Sequence, residues 1–131
     1  MVFLDTDVIV AFLRQDPDAR ECMISLEDRG EEVRISAVSA MELLQGARSH
    51  VNCKDKIREV YIFLRRVDVV PLGLEEVDHC SRIIHHLQKK GSMIGLPDIQ
   101  IAATVLAAAD RVITRNIRDF SRVQGLKVDR W

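Results

Sequence analysis

The feature that most constrains the fold of this chain is the alternation of short β-forming runs with helical patterns. Between the strand-like runs, apolar residues recur every three or four positions, which is typical of amphipathic helices. Strands that alternate with helices pair in parallel through right-handed crossovers. The sequence therefore predicts an α/β fold, a three-layer α/β/α sandwich with a mostly parallel central sheet of four to five strands. We expect strands at Val2–Leu4, Val33–Ser36, Val67–Val70 and Arg111–Thr114, with an edge strand at 126–129.

Several helix boundaries can also be predicted. Asp16-Pro17 offers an N-cap with proline in the first turn, and Gly91 is a suitable end for a long helix that precedes it. Ile94–Pro97 reads as a loop, and Ile99–Ala109 is apolar almost all round, as expected of a helix buried in the centre of the molecule. The length of 131 residues suits a single domain, 1–131, that buries roughly two-thirds of its unfolded surface.

Acidic and amide residues follow the predicted strands at the points where ligands usually bind. In open parallel sheets that point is the crevice at the carboxyl ends of the strands. Asp5 follows the first strand, Glu42 lies on the helix after the second, and Asn116 and Asp119 follow the strand near residue 113. Asp98 instead opens the buried helix. We expect the N-terminus of that helix to reach the same rim, because the helix must lie against the sheet.

Carboxylates that lie close together in one site repel one another unless a proton or a cation compensates their charge. Mg²⁺ takes one or two protein carboxylates together with water and phosphate oxygens, and the predicted cluster has no His or Cys ligand that would favour zinc. We therefore predict that Asp5, Glu42, Asp98 and a group near Asp119 hold Mg²⁺ or Mn²⁺. Such a metal can activate water and neutralise charge on a scissile phosphate.

Each of these residues also has a purely structural interpretation. Asp5 can cap a helix, and Asp98, Asn116 or Asp119 can stabilise the first turn of one. Ser39-Ala40-Met41-Glu42 has the S-x-x-E pattern of a capping box, in which Glu42 bonds back to the Ser39 N–H and needs no metal. Taken singly, these residues do not decide between capping and catalysis.

The order and context of these residues resemble one family, the PIN-domain ribonucleases, and among them the VapC-type toxins of toxin–antitoxin pairs. The resemblance covers nearly the whole chain and rests on four motifs in order. These are Leu4-Asp5-Thr6-Asp7-Val8-Ile9, the S-x-x-E-L-L-x-G pattern at Ser39–Gly46, Leu96-Pro97-Asp98 leading into Ile101-Ala102-Ala103-Thr104, and Thr114-Arg115-Asn116-Ile117-Arg118-Asp119-Phe120.

This resemblance implies a Mg²⁺- or Mn²⁺-dependent endoribonuclease that forms a homodimer and is inhibited by a cognate antitoxin. The resemblance also implies that Asp5, Glu42 and Asp98 form its acidic core. Some family members carry an acid directly after the last strand, where this chain has Asn116, so the fourth role stays open between Asn116 and Asp119. We take Thr6 and Thr114 as supporting residues that orient the carboxylates, and Arg115 as a residue that can grip RNA phosphates.

Two alternatives belong to other functional classes. Phe3-Leu4-Asp5-Thr6-Asp7-Val8 also resembles the D-x-D start of haloacid-dehalogenase-type phosphatases, in which Asp5 would be the nucleophile and Asp7 the general acid. That resemblance explains one motif only. The second alternative is a non-catalytic RNA-binding domain that keeps the fold with an idle site.

Charge and cysteine content limit the partners and the compartment. The net charge is −1, and residues 1–32 hold nine acidic against three basic side chains, so any RNA contact should be local. The three cysteines are far apart and form no C-x-x-C pair, and we expect them to be buried free thiols. Without an apolar run of about 20 residues or a signal-peptide pattern, we expect a cytoplasmic protein with no membrane contact.

Overall fold

The computed structural model describes residues 1–131. Five short strands alternate with seven helices along the chain. In chain order these are β1 (Val2–Leu4), α1 (Thr6–Leu13), α2 (Pro17–Asp28), β2 (Val33–Ser36), α3 (Ala37–Arg48), α4 (Cys53–Leu64), β3 (Asp68–Val70), α5 (Leu74–Lys90), α6 (Leu96–Ala107), β4 (Arg111–Ile113), α7 (Ile117–Phe120) and β5 (Lys127–Asp129).

All five strands pair in parallel in one sheet with the order β3-β2-β1-β4-β5. The chain runs outward from β1 through β2 to β3 and then crosses back to β4 and β5 on the other side. This reversal of direction leaves a crevice between the carboxyl ends of β1 and β4, where α/β sheets of this kind bind ligands. The predicted parallel sheet of four to five strands is confirmed, and the edge strand near 126–129 is its fifth member.

Two hydrophobic clusters cover the two faces of the sheet. Successive side chains of a strand point to opposite faces, so Val2 and Leu4 pack mainly against α1 to α4, whereas Phe3 packs against α5 and α6. None of the three residues of β1 has solvent-exposed surface. The predicted three-layer sandwich is therefore confirmed, and its most deeply buried strand is β1, which directly precedes Asp5.

The helix α6 brings Asp98 to the sheet. Ile99 and Ile101 to Val105 are buried, which confirms the predicted central helix. The helix begins at Leu96, so the predicted loop at Ile94–Pro97 is wrong in its last two residues. Pro97 occupies the first turn, where its missing N–H costs no hydrogen bond. Asp98 consequently lies inside the first turn of α6, near the positive end of the helix dipole.

The other predicted boundaries agree closely with the structure. Asp16 caps α2 through bonds from the N–H groups of Asp18 and Ala19, and Gly91 ends α5 in a left-handed conformation with φ of 65°. All three cysteines are free, but only Cys80 is buried. No helix of the chain combines the length and the apolar character that a bilayer crossing requires.

Candidate active site

Asp5 is the first residue after the central strand and is only 6% exposed. Its Oδ1 accepts a hydrogen bond of 2.8 Å from the backbone N–H of Thr6, which makes Asp5 the N-cap of α1. Its Oδ2 accepts a hydrogen bond of 2.7 Å from the hydroxyl of Thr114 across the crevice. The capping interpretation thus accounts for one oxygen of Asp5 and leaves the other facing the end of β4.

Thr114 joins the two strand ends that border the crevice. It is the first residue after β4 and is fully buried. Its hydroxyl lies 2.7 Å from Asp5 and 3.3 Å from Asp7, and it accepts a 2.9 Å hydrogen bond from the Asn116 N–H. Because a hydroxyl has a single hydrogen to donate, we assign it to the shorter contact with Asp5. Thr114 therefore fixes the orientation of the most buried carboxylate.

Glu42 reaches the same rim from the middle of α3. The N-cap of α3 is Ser36, whose hydroxyl accepts a 3.0 Å hydrogen bond from the Ser39 N–H. Glu42 lies six residues after that cap, so the capping box between Ser39 and Glu42 is wrong. Its Oε1 instead accepts a 2.7 Å hydrogen bond from the Thr6 hydroxyl. Both predicted supporting threonines therefore hold a carboxylate of the cluster.

Asp98 and Asp119 are joined by the side-chain amide of Asn116. The Nδ2 of Asn116 lies 3.2 Å from Oδ2 of Asp98 and 3.2 Å from Oδ2 of Asp119. Asn116 occupies the N-cap position of α7, but its side chain makes no capping bond. For the fourth position, the geometry therefore favours Asp119 as the acidic group, and Asn116 links it to Asp98.

Burial and mutual repulsion act on the two innermost carboxylates. Burial raises the pKa of Asp5 to about 7; the Thr114 and Thr6 hydrogen bonds oppose this rise, and the charges of Asp7 and Asp98 add to it. Burial also raises the pKa of Asp98, and the charges of Asp119, Glu42 and Asp7 raise it further. Charges from four elements therefore act on one another at this rim, which is the electrostatic situation that a cation relieves.

The ligands that the protein offers here suit a cation whose coordination is completed by water and phosphate oxygens. No three Asp, Glu, His or Cys side chains lie close enough together to hold a metal ion without further ligands. The carboxylates are instead spaced by neutral donors, the hydroxyls of Thr6 and Thr114 and the amide of Asn116. Mg²⁺ and its analogue Mn²⁺ need only one or two protein carboxylates and complete their octahedra with water and phosphate. The residues present therefore fit such an ion better than a metal enclosed entirely by protein ligands.

Comparison with known proteins gives this geometry a family. The model of the PIN domain matches residues 2–126. Ribonuclease VapC1 of Rickettsia felis is 32% identical over 131 aligned positions, which cover 97% of this chain and 93% of that protein. This chain belongs to the PIN-domain family. The predicted membership of its VapC-type branch is confirmed by the same relatives.

Two further relatives extend the similarity. The tRNA(fMet)-specific endonuclease VapC of Salmonella typhimurium is 26% identical over 87% of this chain and 95% of its own length. The solved structure of DNA-bound VapBC from Salmonella typhimurium superposes with a TM-score of 0.90 at 26% identity, covering 99% of this chain and 97% of that one. The PIN fold is thus shared along the full chain.

Membership of the PIN family decides against the phosphatase alternative, and the contacts of Asp7 agree. Its Oδ1 accepts a hydrogen bond from the Trp131 indole N–H, and its Oδ2 accepts one from the Arg115 N–H. Both oxygens of Asp7 are therefore acceptors for donors of the protein itself, which is a structural role. Sequence reasoning gave Asp7 no part in the nuclease site, although it follows Asp5 by two residues on the same turn.

Sequence reasoning also missed Trp131. No motif or capping pattern includes it, yet it follows the carboxyl end of β5, a parallel strand whose end shares the rim with β1 and β4. The signal that points to it was the predicted edge strand at 126–129, since any residue directly after a parallel strand lies at this rim.

Proposed function

We propose that this protein is a metal-dependent endoribonuclease that hydrolyses RNA phosphodiester bonds as the toxin of a toxin–antitoxin pair. The observation that carries the proposal is the convergence of Asp5, Glu42, Asp98 and Asp119 on the β1–β4 crevice of a PIN fold. The relatives named as ribonucleases and as a tRNA(fMet)-specific endonuclease support RNA as the substrate class. Unpaired RNA is the expected form, because a crevice at a strand rim can receive a splayed single strand.

The four carboxylates are the residues that would hold Mg²⁺ or Mn²⁺. When bound, such an ion lowers the pKa of a water molecule and neutralises charge on the scissile phosphate. The chain itself supplies orientation. The Thr114 hydroxyl donates a hydrogen bond to Oδ2 of Asp5, and the Thr6 hydroxyl donates one to Oε1 of Glu42, so each threonine fixes the orientation of one carboxylate. The neutral side-chain amide of Asn116 donates a hydrogen bond to Asp98 and to Asp119.

The same proposal includes partners and location. The similar solved structures include VapBC from Salmonella typhimurium and VapBC-1 from Haemophilus influenzae, which supports an antitoxin protein as a partner of this chain. Large apolar side chains on and between α3 and α4 are exposed, and we propose that they contribute to a homodimer or antitoxin interface in the cytoplasm. They are Met41, Val51, Tyr61 and Ile62. Light scattering of the purified protein at several concentrations tests the dimer, which a monomer at all concentrations would exclude.

Cleavage of a labelled single-stranded RNA tests the activity directly. With Mg²⁺ or Mn²⁺ we expect cutting that stops on addition of EDTA and falls by about a thousandfold in Asp5→Asn, an electrostatic effect of about 4 kcal/mol. Asp16→Asn is the matched control, because it makes the same substitution at another helix N-cap and Asn also caps well. Circular dichroism checks that both variants fold. Equal cleavage by Asp5→Asn and the wild type would contradict the mechanism.

A second experiment tests the toxin role. Expression of the wild type should arrest growth, and co-expression of a short open reading frame beside the gene should relieve the arrest. Asp5→Asn should be harmless at the same protein level. Harmless expression of an active wild-type enzyme would instead indicate a housekeeping nuclease. RNA binding without cleavage under any metal condition would favour the non-catalytic alternative.

A further inference from the structure

We propose that Trp131 is a positioning residue of this site, which holds Asp7 and Arg115 in place beside the acidic cleft. The inference rests on the proposed function, because it assigns Arg115 to a phosphate of single-stranded RNA. The four motifs of the family resemblance do not include this tryptophan.

The sheet delivers Trp131 to the active-site rim. Ile113 at the end of β4 is in register with Asp129 at the end of β5, and the Thr114 N–H donates a 2.9 Å hydrogen bond to the Asp129 carbonyl. The two strand ends therefore leave the sheet side by side. Trp131, two residues after β5, lies next to Arg115, two residues after β4.

Trp131 makes three separate contacts there. Its indole N–H donates a hydrogen bond of 3.1 Å to Oδ1 of Asp7. The guanidinium carbon of Arg115 lies 3.5 Å from the centroid of its ring, well within the range of a cation–π interaction. The Nε of Arg115 donates a 3.3 Å hydrogen bond to the backbone oxygen of Trp131. One residue thus fixes both a carboxylate and a guanidinium.

A direct contact between Arg115 and Asp7 closes this set of interactions. The Arg115 backbone N–H donates a 2.8 Å hydrogen bond to Oδ2 of Asp7, which also lies 3.3 Å from the Thr114 hydroxyl. Asp7, Arg115 and Trp131 each contact the other two, and Thr114 connects them to Asp5. The charge of Asp7 is already felt at Asp5 and Asp98. The position of Asp7 therefore affects the electrostatics of the whole cleft.

The guanidinium of Arg115 retains the capacity to bind an anion. Its Nη2 meets only the exposed carboxylate of Asp18, at 3.3 Å, and its Nη1 donates to no protein acceptor. An exposed ion pair of this kind contributes little and is easily exchanged. A guanidinium that is held over an indole ring can present its free N–H groups to a non-bridging phosphate oxygen. The chemistry fits a phosphate of single-stranded RNA next to the one that is cleaved.

Steady-state cleavage kinetics separate the two tasks of Trp131. Trp131→Leu removes the stacking surface and the indole N–H, and we expect a KM about tenfold higher and a kcat several-fold lower. Trp131→Phe keeps an aromatic ring under Arg115 but loses the N–H to Asp7, so its kcat should fall while its KM stays near that of the wild type. Leu74→Ala, which truncates an exposed apolar side chain at the start of α5, is the control and should change neither constant.

Arg115→Ala links the KM effect to the guanidinium. We expect Arg115→Ala to raise KM about as much as Trp131→Leu, and the double variant to raise it no further, because both changes remove the same interaction. Independent, multiplying effects of the two substitutions would overturn the proposal. A merely structural role of Trp131 would lower the melting temperature and the active fraction without changing KM, which would also overturn it.

Trp131 is the single tryptophan of the chain, so its fluorescence gives a readout that does not depend on cleavage. An unlabelled oligoribonucleotide added to the cleavage-inactive Asp5→Asn protein should change the tryptophan emission. The double variant that carries Asp5→Asn and Arg115→Ala should show no such change. Unchanged emission at saturating RNA would overturn the proposal. If the wild type cuts no RNA, the proposed function fails; if it cuts RNA and Trp131→Leu has wild-type KM and kcat, only this inference fails.

Discussion

The acidic cleft has two halves that are built in different ways. In the first half, Asp5 is buried directly after the central strand, and a buried threonine hydroxyl fixes it. In the second half, Asp98 and Asp119 are half-buried on the first turns of α6 and α7, and an amide with two hydrogens joins them. The first half is set by the backbone of the sheet, whereas the second depends on one side chain. Substitutions in the first half should therefore have larger effects.

The largest expected effect is on metal-free stability. Asp5 has a pKa raised to about 7 in the folded protein against an ordinary value of 3.8, so its ionised form opposes folding. Its contribution to the unfolding free energy therefore falls as pH rises from about 4 to about 7, by up to about 4 kcal/mol. Asp5→Asn removes this dependence. Urea unfolding in EDTA at pH 5 and pH 8 should show the variant gaining stability relative to the wild type as pH rises.

Asp98→Asn is the matched comparison from the second half. Burial and three neighbouring carboxylates raise its pKa as well, but Asp98 is more exposed than Asp5. We expect a relative stabilisation of the same sign and smaller size. A difference between wild type and Asp5→Asn that does not vary with pH, or a larger pH dependence at Asp98, would contradict the contrast between the halves.

The second-largest effect is expected on kcat when the Thr114 hydroxyl, which orients Asp5, is removed. Thr114→Val keeps the volume of the side chain but removes the donor to Oδ2 of Asp5 and the acceptor for the Asn116 N–H. We expect kcat to fall about a hundredfold, equivalent to about 3 kcal/mol. Thr114→Ser keeps the hydroxyl and should recover most of the activity. Equal activity of the Val and Ser variants would show that the hydroxyl does not orient Asp5.

Removal of the Asn116 amide, in the second half, should have a smaller effect on kcat. Asn116→Ala frees Asp98 and Asp119 from their common donor, but both stay anchored to helix N-termini. We expect kcat to fall about tenfold, or about 1.4 kcal/mol, in the same RNA cleavage assay. Asn116→Asp should impair activity at low metal concentration and recover at high metal, since it adds a charge that a cation must offset. A loss as large as that of Thr114→Val would remove the distinction between the halves.

The smallest effect concerns Gly46, which lies outside both halves and one turn after Glu42 on α3. It lines a cavity of about 270 Å³ that Glu42 also borders, and nothing lies within 4 Å of an added Cβ. Gly46→Ala should raise the unfolding free energy by up to about 1 kcal/mol through helix propensity and leave cleavage unchanged. Destabilisation on thermal unfolding would show that α3 needs this glycine to place Glu42.

Sequence reasoning predicted the first half of the site better than the second. Asp5 and Thr114 follow strands, so their meeting at one rim follows from parallel pairing alone. Asp98 was predicted from the buried helix and the family resemblance. Its link to Asp119 depends on the rotamer of Asn116, which no sequence pattern encodes. These assignments stay predictions, because only functional experiments test them.

Glu42 and Trp131 show where sequence patterns fail. Ser39 and Glu42 satisfy the capping-box pattern, which implies Ser39 as the N-cap. In the structure the N-cap is Ser36, three residues earlier, directly at the end of β2. Residue spacing alone does not reveal this difference. Trp131 is 124 positions from Asp7, and their contact depends on the register of an edge strand. Long-range side-chain contacts of this kind follow from the packed sheet and not from local periodicity.

Calorimetric titration of the metal-free protein with Mn²⁺ tests the central claim most directly. If the carboxylates at the β1–β4 crevice form the metal site, the wild type and the control Asp16→Asn should bind Mn²⁺ with the same affinity, and Asp5→Asn should bind at least about tenfold more weakly, a loss of about 1.4 kcal/mol. Identical Mn²⁺ binding by Asp5→Asn and the wild type would contradict the account.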